Sequence, residues 1–239
     1  PNEYRPAIIE GIEAWNLAFE QIGYKDAIIA KIMPDDANWN PADIRYSTIR
    51  WIIQPGSAYA VGPSRANPYT GEIYDADIRI SADYIRHYYT DLNQFVEPLI
   101  PQNFDAFIEQ ENKPIDTNQH LGCEYQKFML ETMSFALNKN MTLNNSRNVE
   151  SFIHNALVDL TLHEVGHTLG LRHNFKASSI YSFEQISDPN FTSINGVSGS
   201  VMDYNSANLM DGGISYFQTT PGPYDYWAIE YSYSETPYN

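Results

Sequence analysis

The segment at residues 149–170 constrains this chain most, because its pattern predicts a helix of about 20 residues, the longest in the sequence. At about 100° per residue, four apolar side chains share one arc of that helix: Val158, Leu162, Val165 and Leu169. The opposite arc carries His163, Glu164 and His167. We therefore expect a fold that packs one face of this helix on a core and leaves the other face lining a cleft.

Two histidines on this polar arc are spaced as ligands of one metal ion. The side chains of His163 and His167 lie only about 40° apart around the helix and one turn apart along it, as two ligands of one tetrahedral metal require. Glu164 lies about 60° beyond His167, where its carboxylate can reach a metal-bound water without being a ligand. His154 falls about 180° from His163, so it is excluded as a ligand.

A third histidine completes the pattern. A catalytic zinc ion takes three protein ligands and keeps one position for water. His173 supplies the third ligand if the chain turns sharply at Gly170, because glycine readily adopts left-handed conformations. Such a site predicts peptide-bond hydrolysis with Glu164 as general base. The alternative, that these histidines are ordinary core or surface residues, is weak because the glycine and the third histidine are both correctly spaced.

Residues 163–173 carry the pattern HExxHxxGxxH, and with it the chain resembles the metzincin clan of zinc endopeptidases. The clan has a methionine-containing turn downstream, so the resemblance implies that Met202 forms an apolar floor beneath the three imidazoles. Tyr204 resembles a tyrosine of astacin-like and serralysin-like members, which implies an extra metal ligand that also stabilises the oxyanion. The alternatives are an ordinary loop methionine and a tyrosine that only packs.

Five further segments resemble a bacterial metzincin family that includes the Ecx-type toxin catalytic subunit and larger proteins of Bacteroidetes: residues 11–16, 43–47, 62–64, 70–73 and 224–229. This narrower resemblance implies a mixed N-terminal sheet whose edge strand, at residues 75–80, pairs with an extended substrate. In a toxin interpretation, Cys123 tethers a separate peptide that docks on a binding-subunit oligomer. Otherwise Cys123 is predicted to be a small buried residue.

The rest of the chain alternates between periodic and irregular stretches. The predicted helices are residues 6–22 (ending at Gly23), 81–95, 122–138 and 225–233, and the predicted strands are residues 27–33, 44–54 and 73–80. Alternation at residues 73–80 indicates a half-buried strand near an edge of its sheet. Residues 56–71 are predicted to be a loop that folds back, 96–119 a surface insertion, and 174–222 largely irregular.

The order of these elements and the resemblance together imply an α+β, metzincin-like fold. We expect a mixed twisted sheet with backing helices, the long active-site helix, and an irregular C-terminal part that carries the methionine turn. The predicted subdomains are residues 1–173, with the sheet and the active-site helix, and residues 174–239, and the two form one catalytic domain.

The composition excludes several classes of protein. A formal net charge of −16 and a pI near 4.6 argue against nucleic-acid binding, which needs clustered Lys and Arg, and favour a soluble surface. No apolar run reaches the roughly 20 residues of a membrane span. The single cysteine excludes an internal disulfide framework and a zinc site built from cysteines. A calcium site stays open, although no pattern indicates one.

Three functions stay open at this point. The first is a secreted or periplasmic endopeptidase acting on proteins or peptides; residues 1–3 do not resemble a signal peptide, so we expect one to have been removed or to lie outside this chain. The second is the catalytic subunit of a bacterial toxin that a partner oligomer delivers. The third is a zinc-bearing binding module without turnover, which the presence of Glu164 disfavours.

Overall fold

A computed structural model of the chain describes residues 1–53, 60–86, 125, 129, 149–209 and 215–235. Several sequence predictions fall outside these residues, namely the insertion at 96–119, Cys123, and most of the helices predicted at 81–95 and 122–138. The described parts of those two helices, residues 83–86 with Tyr125 and Met129, are helical.

The N-terminal helix is interrupted where the sequence predicts one continuous element. Helix α1 spans Arg5–Glu13 and α2 spans Asn16–Gln21, with Trp15 at the junction. Trp15 is fully buried, and its indole Nε1 donates a hydrogen bond of 2.9 Å to Leu162 O. The interruption therefore places an indole against the long helix further along the chain. Gly23 has a φ of 91°, as expected of the glycine that ends this region.

The strand predicted at residues 27–33 is wrong, since this segment has no regular structure. The side chain of Asn16 bonds both backbone groups of Ile28, with Nδ2 donating to the carbonyl at 2.8 Å and Oδ1 accepting from the amide at 2.9 Å. Ile29 is 62% exposed, so the apolar run is not a buried strand. A side chain on α2 thus satisfies backbone groups that a sheet would otherwise pair.

The sheet is mixed, as predicted. Its strands are β1 (Thr48–Ile52), β2 (Ala60–Val61), β3 (Ser64–Ala66) and β4 (Ile73–Ser81). Strand β4 runs parallel to β1, with Thr48 opposite Asp77, and antiparallel to β2 and β3. The alternation at 73–80 thus identified a strand correctly, but the prediction that it lies near an edge is wrong because β4 has partners on both sides.

The edge next to β4 is formed by β2 and β3, within the region that the sequence predicts to be a loop. These strands have two and three residues and are separated by Gly62 and Pro63, so they are too short to show an alternating pattern. Strand β1 is also shorter than predicted: it begins at Thr48 because residues 41–46 form turns. The substrate-pairing edge predicted at residues 75–80 is therefore already paired within the sheet.

The long helix α3, Val149–Thr168, confirms the strongest prediction to within two residues. It packs against α1 on one side and against β4 and β2 on another. Every residue from Ala156 to Val165 is buried, and His167, near the end of the helix, is half-buried. The helix is thus more enclosed than the expected division into a core face and a cleft face suggests. On the arc that carries the predicted site, His163 and Glu164 are fully buried, and His167 is partly accessible.

The C-terminal part is largely irregular, as predicted. It contains a 3-10 turn at Ala177–Ser179 and the helices α4 (Phe183–Ser187), α5 (Pro189–Asn195) and α6 (Pro223–Tyr233), the last matching the predicted closing helix. Helix α6 packs on α2, where Tyr233 meets Phe19 edge to face with ring centroids 5.1 Å apart. In the part of the chain that the structure describes, no helix is long and apolar enough to cross a membrane. The boundary between subdomains at residues 173 and 174 stays a prediction.

Candidate metal centre

The end of α3 turns the chain back toward the helix. The N–H of Leu171 donates to the carbonyl of Gly166 and the N–H of Gly170 donates to that of His167, both at 3.0 Å. These two bonds form a Schellman motif, which needs a left-handed residue at its centre. Gly170 has a φ of 92°, so it takes the conformation predicted for it. The reversal allows His173 to approach the helix it has just left.

Three imidazoles converge at this point. His163, His167 and His173 each offer one nitrogen, and these nitrogens all lie within 4.8 Å of one another. The Nε2 atoms of His167 and His173 are 3.0 Å apart, close to the separation of two nitrogens on one tetrahedral zinc ion. The structure thus brings together the three residues that the sequence predicts as ligands. His154 lies elsewhere, 2.7 Å from the carboxylate of Glu10.

Backbone carbonyls fix which nitrogen of the two helical histidines carries a proton. Nδ1 of His163 lies 2.6 Å from Val201 O, and Nδ1 of His167 lies 3.0 Å from Leu171 O. Because a carbonyl oxygen only accepts, each Nδ1 is the donor and each Nε2 of a neutral ring keeps its lone pair. This is the tautomer that presents Nε2 to a metal.

The surroundings of the three rings favour their neutral form. Burial, helped by the nearby charge of His167, holds the pKa of His163 well below its usual value. Burial also lowers the pKa of His167, and it lowers that of His173 to about 4. Zinc binds neutral imidazoles, so the three histidines are in the protonation state that allows them to bind a metal ion at neutral pH.

Glu164 is buried next to the sheet edge. A side-chain Cβ built on Gly62 would meet the backbone carbonyl of Glu164 and lie 3.1 Å from its Oε2. Only a residue without a side chain allows the connection between β2 and β3 to approach so closely. The carboxylate of Glu164 therefore lies against the connection between β2 and β3.

The segment around Met202 closes the other side of the cluster. Met202 is fully buried, and a Cβ built on Gly166 would meet its Sδ, so the thioether packs on α3 between the two helical histidines. The backbone of Met202 accepts a hydrogen bond of 2.9 Å from Asn174 N–H, next to His173. Its predicted role as the floor of the site stays a prediction, but its position fits that role.

The comparison with known families agrees with this geometry. Residues 145–239, which include α3, the three histidines and Met202, match the model of a family described as Met-zincin. This part of the chain is therefore similar to the metzincins. No curated protein and no solved structure matches the chain significantly. The family match supports the clan, and the narrower resemblance to the Ecx-type toxin subunit stays a prediction.

One buried carboxylate holds the segment that carries Met202, the predicted methionine turn. Asp225, on the first turn of α6, accepts three hydrogen bonds: from Ser200 Oγ at 2.6 Å, from Val201 N–H at 2.8 Å and from Gly222 N–H at 2.7 Å. Val201 in turn offers its carbonyl to His163. Burial raises the pKa of Asp225 to about 6, while these hydrogen bonds oppose the rise. Sequence reasoning missed this residue because it acts on a segment about 25 positions away.

Three aromatic rings surround the histidines. Tyr204 is half-buried, with its ring centroid 4.7 Å from that of His173 and 5.9 Å from that of His163. Phe175 is 61% exposed, and its ring centroid lies 5.3 Å from that of His173. Tyr125 stacks on His163 at 4.3 Å. Of these three rings, only Tyr204 is indicated by the sequence motif. Phe175 is two residues from His173, and that proximity could have identified it.

Proposed function

We propose that this chain is a zinc-dependent endopeptidase that hydrolyses internal peptide bonds with Glu164 as general base. The observation that carries the proposal is the convergence of three imidazole nitrogens, two of them with the tautomer set by backbone carbonyls. The metzincin match supports peptide bonds as the target.

The donor set fits zinc. Within the described residues, the cluster consists of three histidines and includes no Cys, Asp or Glu ligand. Three neutral imidazoles are typical of catalytic zinc sites, which keep a position for water and substrate. His163, His167 and His173 would hold the ion. When bound, zinc supplies a Lewis acid that polarises the peptide carbonyl and lowers the pKa of water.

The side chains around the ion would move the protons. Glu164 would accept a proton from the attacking water on its carboxylate and deliver it to the nitrogen of the leaving amine. The phenol of Tyr204 would donate a hydrogen bond to the carbonyl oxygen as that oxygen becomes negative. Support for both roles comes from position, since Glu164 follows His163 on α3 and the ring of Tyr204 contacts that of His173.

The substrate would lie along the edge formed by β2 and β3. Gly62, between these strands, lies against Glu164, and an extended peptide can add to a sheet edge through backbone hydrogen bonds. This arrangement replaces the pairing with residues 75–80 that the sequence suggested, since β4 is internal to the sheet.

A library of peptides blocked at both ends tests the proposal. We expect internal cleavage, mapped by mass spectrometry, that a chelator abolishes and added zinc restores. Cleavage only of peptides with a free terminus would identify an exopeptidase instead. Full zinc content with no cleavage of any peptide or unfolded protein would favour the binding module without turnover.

The toxin and location predictions need separate measurements. A catalytic subunit delivered by a partner should co-purify from its source with a binding-subunit oligomer, and the endopeptidase acting alone should not. A secreted or periplasmic location predicts the protein in the culture medium or the periplasmic fraction. These results would define where the activity is used and leave the chemistry of the site unchanged.

A further inference from the structure

Tyr125 lies at the centre of the buried side of the site, although it is distant in sequence from every predicted ligand. Its side chain is fully buried. Its ring stacks on the imidazole of His163, with centroids 4.3 Å apart and planes inclined by 21°. The same ring stacks on Tyr204, at 5.3 Å and 28°. One aromatic ring thus contacts both a predicted ligand and the predicted oxyanion-stabilising residue.

The orientation of Tyr125 is set by a buried carboxyl group. Its hydroxyl donates a short hydrogen bond to Oδ2 of Asp159, which is 1% exposed. Asp159 is on α3, four residues and therefore about one turn before His163. Burial raises the pKa of Asp159 to about 8, with the hydrogen bonds from Tyr125 and from the backbone of Gln218 opposing the rise. The same helix thus carries both the imidazole and the group that anchors the ring stacked on it.

These contacts restrain the His163 ring in complementary ways. The hydrogen bond from Nδ1 to Val201 O fixes the rotation of the imidazole within its own plane. A ring stacked on its face opposes tilting out of that plane. Groups that contact a metal ligand in this way orient it, and removing them changes the affinity of the site for the metal.

We propose that Tyr125 is a positioning residue for His163 and Tyr204, and that Asp159 holds its ring in register with them. The inference rests on the proposed zinc site. It concerns how the ligand is held and does not depend on which peptide is cleaved.

The full-length protein offers a matched control for the test. Tyr84 is also fully buried, and its hydroxyl also bonds α3, donating to Ala156 O at 3.4 Å. Tyr125→Phe and Tyr84→Phe each remove one buried hydroxyl that contacts the same helix. Tyr125→Leu removes the stacked ring as well. Three readouts separate position from general stability: thermal unfolding of the metal-free protein, the rate of zinc transfer to a chromogenic chelator, and the visible absorption of the Co²⁺-substituted protein.

Tyr125→Leu should release zinc at least about 10-fold faster and alter the Co²⁺ spectrum, as expected for loss of a second-layer partner. Tyr125→Phe, which keeps the ring, should restore part of the wild-type behaviour but still differ from it. Tyr84→Phe should lower the unfolding temperature and leave zinc release and the spectrum unchanged. If Tyr125→Phe matches Tyr84→Phe in zinc release and spectrum, the positioning role is overturned, even if Tyr125→Leu fails to fold. Absence of peptidase activity in the wild type would count against the proposed function only.

Discussion

The two halves of the metal centre are held by different kinds of bond. On the helical side, His163 and His167 are carried by the continuous backbone hydrogen bonds of α3, which ends in the turn at Gly170. On the other side, Met202 and Tyr204 belong to an irregular segment without a helix or strand of its own. Its position depends on side chains that reach across from elsewhere, above all Asp225.

This difference teaches where each half is vulnerable. Many equivalent backbone hydrogen bonds hold the 20-residue helix in shape. Most single side chains of the helix can therefore be changed without moving the histidines. The predicted methionine turn depends largely on one carboxylate, Asp225, which accepts a hydrogen bond from Ser200 Oγ and one from Val201 N–H. A third bond, from Gly222 N–H, ties the same carboxylate to the start of its own helix. We therefore expect single substitutions to disturb the irregular half more than the helical half, except where they remove a ligand or the turn at Gly170.

The largest effect should follow removal of His173, which joins the two halves. His173→Ala should weaken zinc binding by more than about 100-fold, because loss of a ligand should exceed the 10–100-fold cost of losing an outer partner. Competition with a fluorescent zinc chelator measures this affinity. His154→Ala is the control, since His154 pairs with Glu10 away from the cluster. Equal zinc affinity in the two variants would remove His173 from the ligand set.

The next largest effect should come from the support of the methionine turn. Asp225→Ala leaves two buried N–H groups and a hydroxyl without their acceptor, which should cost about 3–5 kcal/mol of unfolding free energy in urea denaturation. Asp225→Asn retains an acceptor and should cost less. Asp188→Ala, at an exposed helix N-cap in the same half, should cost only about 1 kcal/mol. Similar losses for Asp225→Ala and Asp188→Ala would contradict a concentrated support.

A smaller effect should appear at the turn that ends the helical half. Gly170→Val should lose about 2 kcal/mol, because a β-branched residue is strained at a φ of 92°. A Cβ at Gly170 meets no atom within 4 Å, so any loss reflects backbone conformation and not a clash. Gly170→Asn should retain more stability, since asparagine tolerates the left-handed region. Denaturant unfolding that ranks Asn below Val would contradict this explanation.

The smallest of these effects should depend on pH. The carboxyl of Asp159 has a pKa of about 8 in the folded protein, above its value in the unfolded chain, so folding favours its protonated form. Its contribution to the free energy of unfolding is therefore fully present at low pH and decreases between about pH 4 and pH 8. Between pH 6 and pH 7, wild-type stability should therefore fall by up to about 1.4 kcal/mol relative to Asp159→Asn, which has no carboxyl to titrate. Urea denaturation at both pH values measures the difference. Parallel pH profiles for the two proteins would show that Asp159 is ionised in the folded protein at neutral pH.

The sequence predicted the helical half because that half follows local rules. Three histidines and Gly170 lie within eleven residues, and helical periodicity alone places two of the rings together. The structure brings His163, His167 and His173 together as expected. The strands β2 and β3 were not predicted, because two or three residues are too few to show the alternation of polar and apolar residues that identifies a strand.

The contacts that support the site were not predictable from spacing. Tyr125 reaches Asp159 across 34 positions, and Asp225 reaches Ser200 across 25. Asp159 also made the burial of α3 hard to predict, because a carboxyl group in a helix usually lies on an exposed face and this one is buried. Long-range polar contacts of this kind follow from the folded arrangement and from no pattern within one element.

The most direct test of the central claim measures zinc content and cleavage of blocked peptides in the same samples of wild-type protein and Glu164→Gln. The proposed mechanism predicts about one zinc per chain in both proteins, since three histidines without Glu164 are enough to hold the ion. Cleavage by the variant should be about 10²–10⁴-fold slower than cleavage by the wild type, the range typical of a general base. Comparable cleavage by Glu164→Gln, or cleavage by wild-type protein that contains no metal, would contradict the proposed mechanism.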